Sequence, residues 1–371
     1  AIDNRPAKGT AIVARRCVEE LLKAQDRFDL TFIHYEHCDD PIYTHGIREV
    51  ILPEFPLFFL NKRSLRQIYY FFTTTDRFDI IQWFQPRLYP FFWKAPASRI
   101  VVEVHGAGDV AKEAPFDVMR LIFNWTVKTF IRRIDAAIVA SVFAKEDIVK
   151  QYGFLPSQVR VIYNGVDPSF TLTPESAIVR VKRTYNLPDH FFLNVARLNP
   201  NKNALRTMQA FEAFARSRPT SDLHFVNIGS EGTEKAQVSS WLSESPYRDR
   251  IHIIPFVETV DLPAVYGAAY ALTFPLLNEG FGLPAIEAMA CGTPVLVAET
   301  AQPEITNREA ILVDAYTTES IADGMRLLAD EPQLRDAFIV HGREKAVRYT
   351  WEEMGTKLGE LYEELCSSKS N

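Results

Sequence analysis

The sequence predicts an α/β protein of two similar domains, each built on a parallel β-sheet. The chain has 371 residues, more than the roughly 250–300 residues at which a single hydrophobic core stops growing. Short runs of β-branched and aromatic residues alternate with helical patterns along the chain, as βαβ units require. Such runs are equally frequent in both halves, which favours two domains of one kind.

The predicted strands follow one another in order along the chain. In the first half they cover residues 30–34, 49–52, 78–82, 99–104, 136–139 and 159–163. In the second half they cover residues 191–195, 223–228, 251–254, 270–274, 294–297 and 310–313. Turn residues at 164–168 and 171–174 place the domain boundary near residue 170. We expect a first domain over residues 1–169, a second over 170–345 and an amphipathic terminal helix over 346–371.

Composition and charge disfavour several classes of protein. The net charge of −6 argues against nucleic acid as the main partner, because phosphate binding needs a basic surface. The longest apolar runs are shorter than the ~20 residues that span a bilayer, and no signal peptide is visible. Four cysteines lack the spacing of a metal site or a disulfide framework. This pattern predicts a cytoplasmic protein.

The sequence also predicts that the protein uses neither a metal nor another cofactor. It contains no Asp-x-Asp motif, and the His, Cys and Asp residues between His34 and Asp40 lack tetrahedral-site spacing. The stretch Gly229-Ser230-Glu231-Gly232 differs from Gly-x-Gly-x-x-Gly, so a nicotinamide-dependent dehydrogenase is disfavoured.

Residues 278–295 form the most informative segment, which follows a predicted buried strand. Gly280 and Gly282 permit a tight turn, Pro284 fits the first turn of a helix, and Gly292 ends that helix. The start of this helix presents unpaired N–H groups and the positive end of the helix dipole. These groups face the carboxyl end of the strand, where open α/β sheets bind ligands.

Two carboxylates flank this helix start. Glu279 precedes the turn, and Glu287 lies one to two turns into the helix. Because carboxylates accept hydrogen bonds from sugar hydroxyls, the pair suits a sugar nucleotide better than a bare phosphate. The alternative for either residue alone is a helix cap or a solvated helix position.

Two cations follow the first strand of the second half. Arg197 comes just after that strand, and Lys202 lies where the next helix opens. Arginine can fork across two phosphate oxygens while lysine acts as a point charge, so together they can neutralise a diphosphate leaving group. The alternative is a pair of solvated loop cations.

Both segments resemble the donor site of the retaining glycosyltransferases of family 4, and the resemblance runs from Asp3 to Tyr362. It implies the GT-B fold, in which two Rossmann-like domains face each other across a cleft that binds the ligand. It also implies that the terminal helix packs on the first domain. The implied donor-binding residues are Gly9, Arg197, Lys202, Glu279, Gly280, Phe281, Gly282, Leu283 and Glu287.

The resemblance also assigns roles within this set. Glu287 would hold the ribose, and Glu279 with the turn amides would hold the sugar hydroxyls. His105, at the end of a first-domain strand, would lie against the donor sugar, whereas the role of Asp109 stays open. We expect His105, Arg197, Lys202 and Glu279 to act in catalysis.

The implied function is transfer of a hexose or deoxyhexose, with retention, from a UDP- or GDP-sugar. The acceptor would be a saccharide or a lipid-linked saccharide in polysaccharide or envelope glycan synthesis. Two alternatives remain: a sugar-nucleotide 2-epimerase of the same architecture, and a non-catalytic subunit that binds sugar nucleotides. Base identity is open, because residues 255–258 lack the glycine that the family usually has near the nucleobase.

A dense set of aromatic and basic residues in the first domain predicts peripheral, salt-sensitive membrane contact. Leu65, Ile68 and Phe72 can form one helical stripe while Lys62, Arg63 and Arg66 stay solvated. The alternative is ordinary core packing. The set comprises Phe58, Phe59, Lys62, Arg63, Arg66, Tyr69, Tyr70, Phe71, Phe72, Trp83, Arg87, Tyr89, Phe91, Phe92, Trp93 and Lys94.

Overall fold

The structure is a computed structural model of the chain. It describes residues 9–35, 42, 46–54, 63–84, 92–104, 125, 128–277, 281–300, 304–305 and 308–367. Contacts divide the chain into two compact units, Ala1–Gly165 with Trp351–Asn371, and Val166–Thr350. None of the helices in the described ranges is both long and apolar enough to cross a bilayer.

The first unit contains two parallel sheets among its described residues. Strands β1 (Thr31–His34) and β2 (Arg48–Ile51) form one pair. The second sheet has the order β3 (Phe78–Trp83), β4 (Ala97–Val104), β5 (Ala136–Val139) and β6 (Val159–Val161). Helices α1 (Gly9–Lys23), α2 (Arg63–Thr73) and α3 (Val142–Tyr152) accompany them.

Local sequence explains where α3 begins and ends. The Ser141 side chain accepts a hydrogen bond from the backbone N–H of Ala144 at 3.0 Å, which caps the first turn. Gly153, with φ of 79°, ends the helix in the left-handed conformation. Between these ends the helix buries Ala144, Ile148 and Tyr152 against the core of the first unit.

The last helix of the chain belongs to the first unit. It is α11 (Trp351–Ser367), counted in chain order, and it packs against α1 and β3. The Tyr362 hydroxyl donates to Gln82 Oε1 at 2.6 Å, and Arg99 Nε donates to the Leu365 carbonyl at 3.1 Å. Arg27 pairs with Glu363 at 2.7 Å near the surface. These bonds hold α11 to segments more than two hundred residues earlier in the sequence.

The second unit is one six-stranded parallel sheet flanked by helices. Its strand order is β12-β11-β10-β7-β8-β9. The strands are β7 (Phe191–Val195), β8 (His224–Ile228), β9 (Ile251–Ile254), β10 (Ala271–Phe274), β11 (Val295–Ala298) and β12 (Ile311–Val313). The helices are α4 (Glu175–Thr184), α5 (Ala204–Ser217), α6 (Lys235–Glu244), α7 (Leu262–Ala268), α8 (Leu283–Ala290), α9 (Thr318–Asp330) and α10 (Pro332–Ala346).

Aromatic packing against the sheet forms the centre of this unit. Phe192, Phe211, Phe214 and Phe225 are fully buried in one cluster. The rings of Phe192 and Phe214 meet edge to face, with centroids 5.4 Å apart. The sheet is therefore a rigid base for the loops that leave its strands.

All twelve predicted strands are present. The predicted α/β class with parallel sheets is confirmed.

The predicted membrane region is largely core where the structure describes it. Tyr70, Phe71, Trp83 and Phe92 are buried in the main cluster of the first unit. The prediction that Arg66 stays solvated is wrong, because its guanidinium donates to the backbone carbonyls of Leu52 and Pro53. On α2, Leu65 and Ile68 are partly buried and Phe72 is exposed. Residues 55–62 and 85–91 and the Arg63 side chain lie outside the described parts.

Candidate functional site

The strand order of the second unit's sheet identifies one candidate ligand site at the carboxyl ends of its strands. Strands β7 and β10 are neighbours, while β8 and β9 continue on one side and β11 and β12 on the other. The chain therefore leaves β7 and β10 in opposite directions, which opens a crevice between their loops. Ligands of open α/β sheets bind at such switch points.

The loop after β7 carries the two predicted cations. Arg197 is exposed, and within the described part of the chain its guanidinium makes no ion pair. Lys202 ends a short 3₁₀ turn, Pro200–Lys202, and Asn203 separates this turn from α5. The turn is joined to the loop after β10, because the backbone N–H of Leu277 donates to the Asn201 carbonyl at 3.2 Å. Lys202 thus lies on a segment bonded to the loop after β10.

Asn203 fixes this arrangement. It adopts φ of 57° and is 4% exposed. Its amide donates to the carbonyls of Pro275 at 2.9 Å and Ala315 at 2.8 Å. One buried amide therefore ties together the loops that follow β7, β10 and β12, which explains an asparagine in the left-handed region at this point.

The loop after β10 leads into α8 as predicted. Gly282 has φ of 78° and occupies the N-cap of the helix, and Pro284 lies in its first turn. Gly292, also with φ of 78°, follows the helix end. The first turn of α8 contains no acidic side chain, so its positive end faces the edge of the sheet without an internal counter-charge from that turn.

Glu287 is partly buried on the second turn of α8 and has a perturbed acidity. Burial raises its pKa to about 7, repulsion from Asp167 adds to the rise, and the hydrogen bond from Tyr266 opposes it. The Tyr266 hydroxyl donates to Glu287 Oε2 at 2.9 Å. Within the described residues, this is the hydrogen bond that the Glu287 carboxylate accepts from another side chain.

Three predicted site residues, His105, Glu279 and Gly280, lie outside the described residues. Asp109, whose role the sequence left open, lies outside them as well. Gly9 is the first residue of α1. The Phe281 ring is buried edge-on against Tyr349, with centroids 5.2 Å apart, so this side chain anchors the turn. Leu283 is the partly buried first residue of α8.

Sequence reasoning missed Tyr266 and Asn203. Tyr266 is fully buried on α7 and lies 21 positions before its partner Glu287. No short motif links the two. Asn203 could have been found from the sequence, because asparagine tolerates a positive φ and this asparagine directly follows Lys202.

Within the described ranges, no group of three or more His, Cys, Asp and Glu side chains is arranged to hold a metal ion.

Sequence profiles of known families match almost the whole chain. The profile of Glycosyltransferase Family 4 matches residues 7–170. The profile of Glycosyl transferases group 1 matches residues 177–345. The chain belongs to glycosyltransferase family 4.

Named relatives of this family 4 glycosyltransferase agree with the assignment. D-inositol 3-phosphate glycosyltransferase of Corynebacterium kroppenstedtii is 28% identical over 62% of this chain and 53% of its own length. The serotype-specific mannosyltransferase WbdA of Escherichia coli is 31% identical over 59% of this chain and 27% of its own length. The matched region thus covers about half of the first relative and about a quarter of the second.

Solved structures share the fold. HepE of Anabaena, in complex with UDP and glucose, matches with a TM-score of 0.76 and 16% identity, covering 98% of this chain and 97% of HepE. At this identity the likeness concerns the fold alone. The family 4 glycosyltransferase has the GT-B fold of two Rossmann-like domains, as the sequence predicts.

Proposed function

We propose that this glycosyltransferase moves a hexose or deoxyhexose from a UDP- or GDP-sugar to a saccharide or lipid-linked saccharide. The observation that carries the proposal is the switch point between β7 and β10. Two cations, the start of α8 and a partly buried carboxylate belong to the loops and the helix that follow these two strands. The mannosyltransferase relative and the UDP complex of HepE support a sugar-nucleotide donor and a glycan acceptor. We place the reaction in polysaccharide or envelope glycan synthesis.

Each group has a distinct role in this proposal. Arg197, Lys202 and the amides at the start of α8 stabilise charge on the diphosphate. Glu287 accepts hydrogen bonds from the ribose hydroxyls. Glu279 accepts hydrogen bonds from the sugar hydroxyls, and the turn amides donate to the sugar oxygens. Family membership supports the inclusion of His105 and Gly9.

The proposed chemistry retains the anomeric configuration. The bond between the anomeric carbon and the diphosphate oxygen breaks as the acceptor oxygen bonds to the same face of that carbon. The acceptor proton passes to the departing phosphate oxygen, so the products are a nucleoside diphosphate and a glycoside. The transition state carries positive charge on the sugar and negative charge on the diphosphate. Arg197 and Lys202 supply the positive charge that a metal ion supplies elsewhere, and we propose transfer without a metal.

A thermal-shift panel tests the donor class. UDP-, GDP-, ADP- and dTDP-sugars are each added at equal concentration without metal, and the unfolding midpoint is recorded. A matching donor raises the midpoint by mass action, because it binds only the folded state. We expect a UDP- or GDP-sugar to give the largest rise. A panel in which no sugar nucleotide raises the midpoint, with or without added Mg²⁺, contradicts the proposal.

Product analysis separates transfer from the two alternatives. Incubation with the matching donor alone identifies a 2-epimerase if the recovered sugar nucleotide is converted to its epimer. Tight binding without turnover on any saccharide or lipid-linked acceptor identifies a non-catalytic subunit. Transfer yields a new glycoside and a nucleoside diphosphate in equal amounts.

Contact with an anionic membrane is a further part of the proposal. We locate it on an aromatic-basic edge, defined by Lys94, Trp125, Lys128, Arg132 and Arg133 of the first unit. Trp125 is 64% exposed, and the four cations are exposed without ion pairs in the described chain. Ring contacts bring the segments that carry these residues together, because the Phe130 ring stacks on Trp93 with centroids 3.6 Å apart and meets Trp125 with centroids 6.4 Å apart. An exposed indole among unpaired cations suits the headgroup region of an anionic bilayer.

Co-sedimentation with anionic liposomes tests this edge. Reversing two charges in Arg132→Glu with Arg133→Glu should weaken binding at low salt by about 30-fold or more, since each cation contributes ~1 kcal/mol. The matched control is Arg183→Glu with Arg348→Glu, which reverses two exposed cations of the second unit. High salt should release the wild-type protein. Equal binding by both double variants, or no binding at low salt, contradicts the assignment.

A further inference from the structure

We infer that Asn227 and Gly229 are positioning residues that hold Arg197 in place before any ligand binds. This inference rests on the proposed function, because it concerns the diphosphate-binding role of Arg197. The loop after β7 and the loop after β8 are joined along their length by hydrogen bonds on both sides of Arg197. The glycines of the second loop permit the close approach that these bonds need.

The hydrogen bonds between the two loops begin at two buried asparagines. Asn194 of β7 and Asn227 of β8 are 0% exposed and directly opposite in the parallel register. Asn194 Nδ2 donates to Asn227 Oδ1 at 3.0 Å, which orients the Asn227 amide. Asn227 Nδ2 then donates to the carbonyls of Ala196 at 3.1 Å and Gly229 at 2.7 Å. The residue before Arg197 is thereby fixed to the neighbouring loop.

Further hydrogen bonds join the two loops beyond Arg197. The N–H of Leu198 donates to the Glu231 carbonyl at 3.0 Å, and the N–H of Glu234 donates to the Leu198 carbonyl at 2.9 Å. The N–H of Thr233 donates to Asn199 Oδ1 at 3.0 Å. Arg197 is therefore an exposed side chain on a backbone held at the residues immediately before and after it.

The glycines explain how the two loops come so close. A Cβ on Gly229 would lie 2.6 Å from the Ala196 carbonyl oxygen, and the residue has φ of 115°. A Cβ on Gly232 would overlap the carbonyl oxygen of Leu198. Each glycine thus faces the backbone on one side of Arg197.

Glu231 also acts on Arg197 electrostatically. Its carboxylate pairs with Lys235 at 2.7 Å, which lowers its pKa first of all, and Arg197 lowers it further. The loop after β8 therefore places a weak counter-charge near Arg197 while Lys235 occupies the carboxylate. The guanidinium remains available to an incoming diphosphate.

Holding Arg197 in place before binding should affect the affinity for the diphosphate as well as the stability of the fold. A cation held where the diphosphate will lie loses little further freedom on binding, whereas a mobile loop must be ordered at that moment. Any change that separates the loops should therefore weaken diphosphate binding through Arg197.

Gly229→Ala is the direct test, with UDP and GDP as probes in calorimetry. We expect the dissociation constant of the better-bound probe to rise roughly 10-fold or more. Gly153→Ala is the matched control, since Gly153 has φ of 79° but a Cβ added there would meet no atom within 4 Å. It carries backbone strain without touching the loops, so it should leave the dissociation constant unchanged.

A double-mutant cycle shows whether the effect passes through Arg197. In the Arg197→Ala background, Gly229→Ala should cause no further loss, because the side chain that it misplaces is gone. Additive losses overturn the positioning inference and leave the proposed function standing. Binding unaffected by Arg197→Ala itself contradicts the proposed diphosphate site.

If Gly229→Ala does not fold, Asn227→Asp and a measurement on the wild type test the inference instead. Asn227→Asp replaces the donating amide by oxygen and should also weaken the probe roughly 10-fold, whereas Ser245→Ala removes a buried hydroxyl bonded to Glu212 and should not. In the unliganded wild type, the amides of Leu198 and Glu234 should exchange slowly with solvent deuterium. Fast exchange that slows only when UDP or GDP is bound overturns the inference.

Discussion

Arg197→Ala and Lys202→Ala should each lower kcat/KM by roughly 10²-fold or more. Each change removes a positive charge from the loop after β7, where the proposed diphosphate gathers negative charge in the transition state. The loss corresponds to ~3 kcal/mol of transition-state stabilisation. Initial rates with the donor identified in the thermal-shift panel measure it. The unfolding midpoint of Arg197→Ala should barely move, since Arg197 is exposed and makes no ion pair in the described chain.

Two further variants sharpen this experiment. Arg197→Lys keeps the charge but loses the planar fork that grips two oxygens, so it should retain more activity than Arg197→Ala and less than the wild type. Arg183→Ala removes an exposed cation from the last turn of α4 and should leave kcat/KM unchanged. Activity within a few-fold of the wild type in both Arg197→Ala and Lys202→Ala contradicts the diphosphate assignment.

Local sequence was sufficient to predict the strands and the start of α8. Strand β5 has the predicted bounds because a buried parallel strand is a continuous apolar run. Strand β7 also has the predicted bounds, because Asn194 is the one polar residue in its apolar run. The turn before α8 was predictable because glycine at positive φ and proline in the first helical turn are requirements of the local backbone. These signals depend on residues that are close together in the chain.

The bonds that hold the site together depend on residues far apart in the chain. Asn203 reaches Ala315, 112 positions later, and Asn194 reaches Asn227, 33 positions later. Periodicity shows that a residue is buried but not which polar group it meets. For the same reason Arg66 was predicted to be solvated. Its guanidinium instead donates hydrogen bonds to two backbone carbonyls from the segment after β2.

The two glutamates should divide the donor between them. Glu287→Gln should weaken binding of the free nucleoside diphosphate, because the ribose hydroxyls lose a charged acceptor. Glu279→Gln should leave that binding nearly intact and should weaken binding or turnover of the intact sugar donor. Calorimetry with both ligands measures the difference, and Glu244→Gln on α6 is the exposed control. Equal losses for both ligands in both variants contradict the division.

Glu287 should also make nucleotide binding and protein stability depend on pH in opposite directions. Its pKa is raised from 4.5 to about 7 by burial, so the folded protein favours the neutral acid. The stability from this shift is fully present below the unfolded pKa of 4.5 and is lost as pH rises through about 7. Nucleotide binding that needs the carboxylate should instead strengthen as pH rises through about 7 and should release a proton. Calorimetry in two buffers of different ionisation enthalpy measures that proton, and unfolding midpoints across the same range measure the stability. Glu287→Gln should remove both dependences and leave the titration of the diphosphate itself, so an unchanged proton release in Glu287→Gln excludes Glu287 as the ribose acceptor.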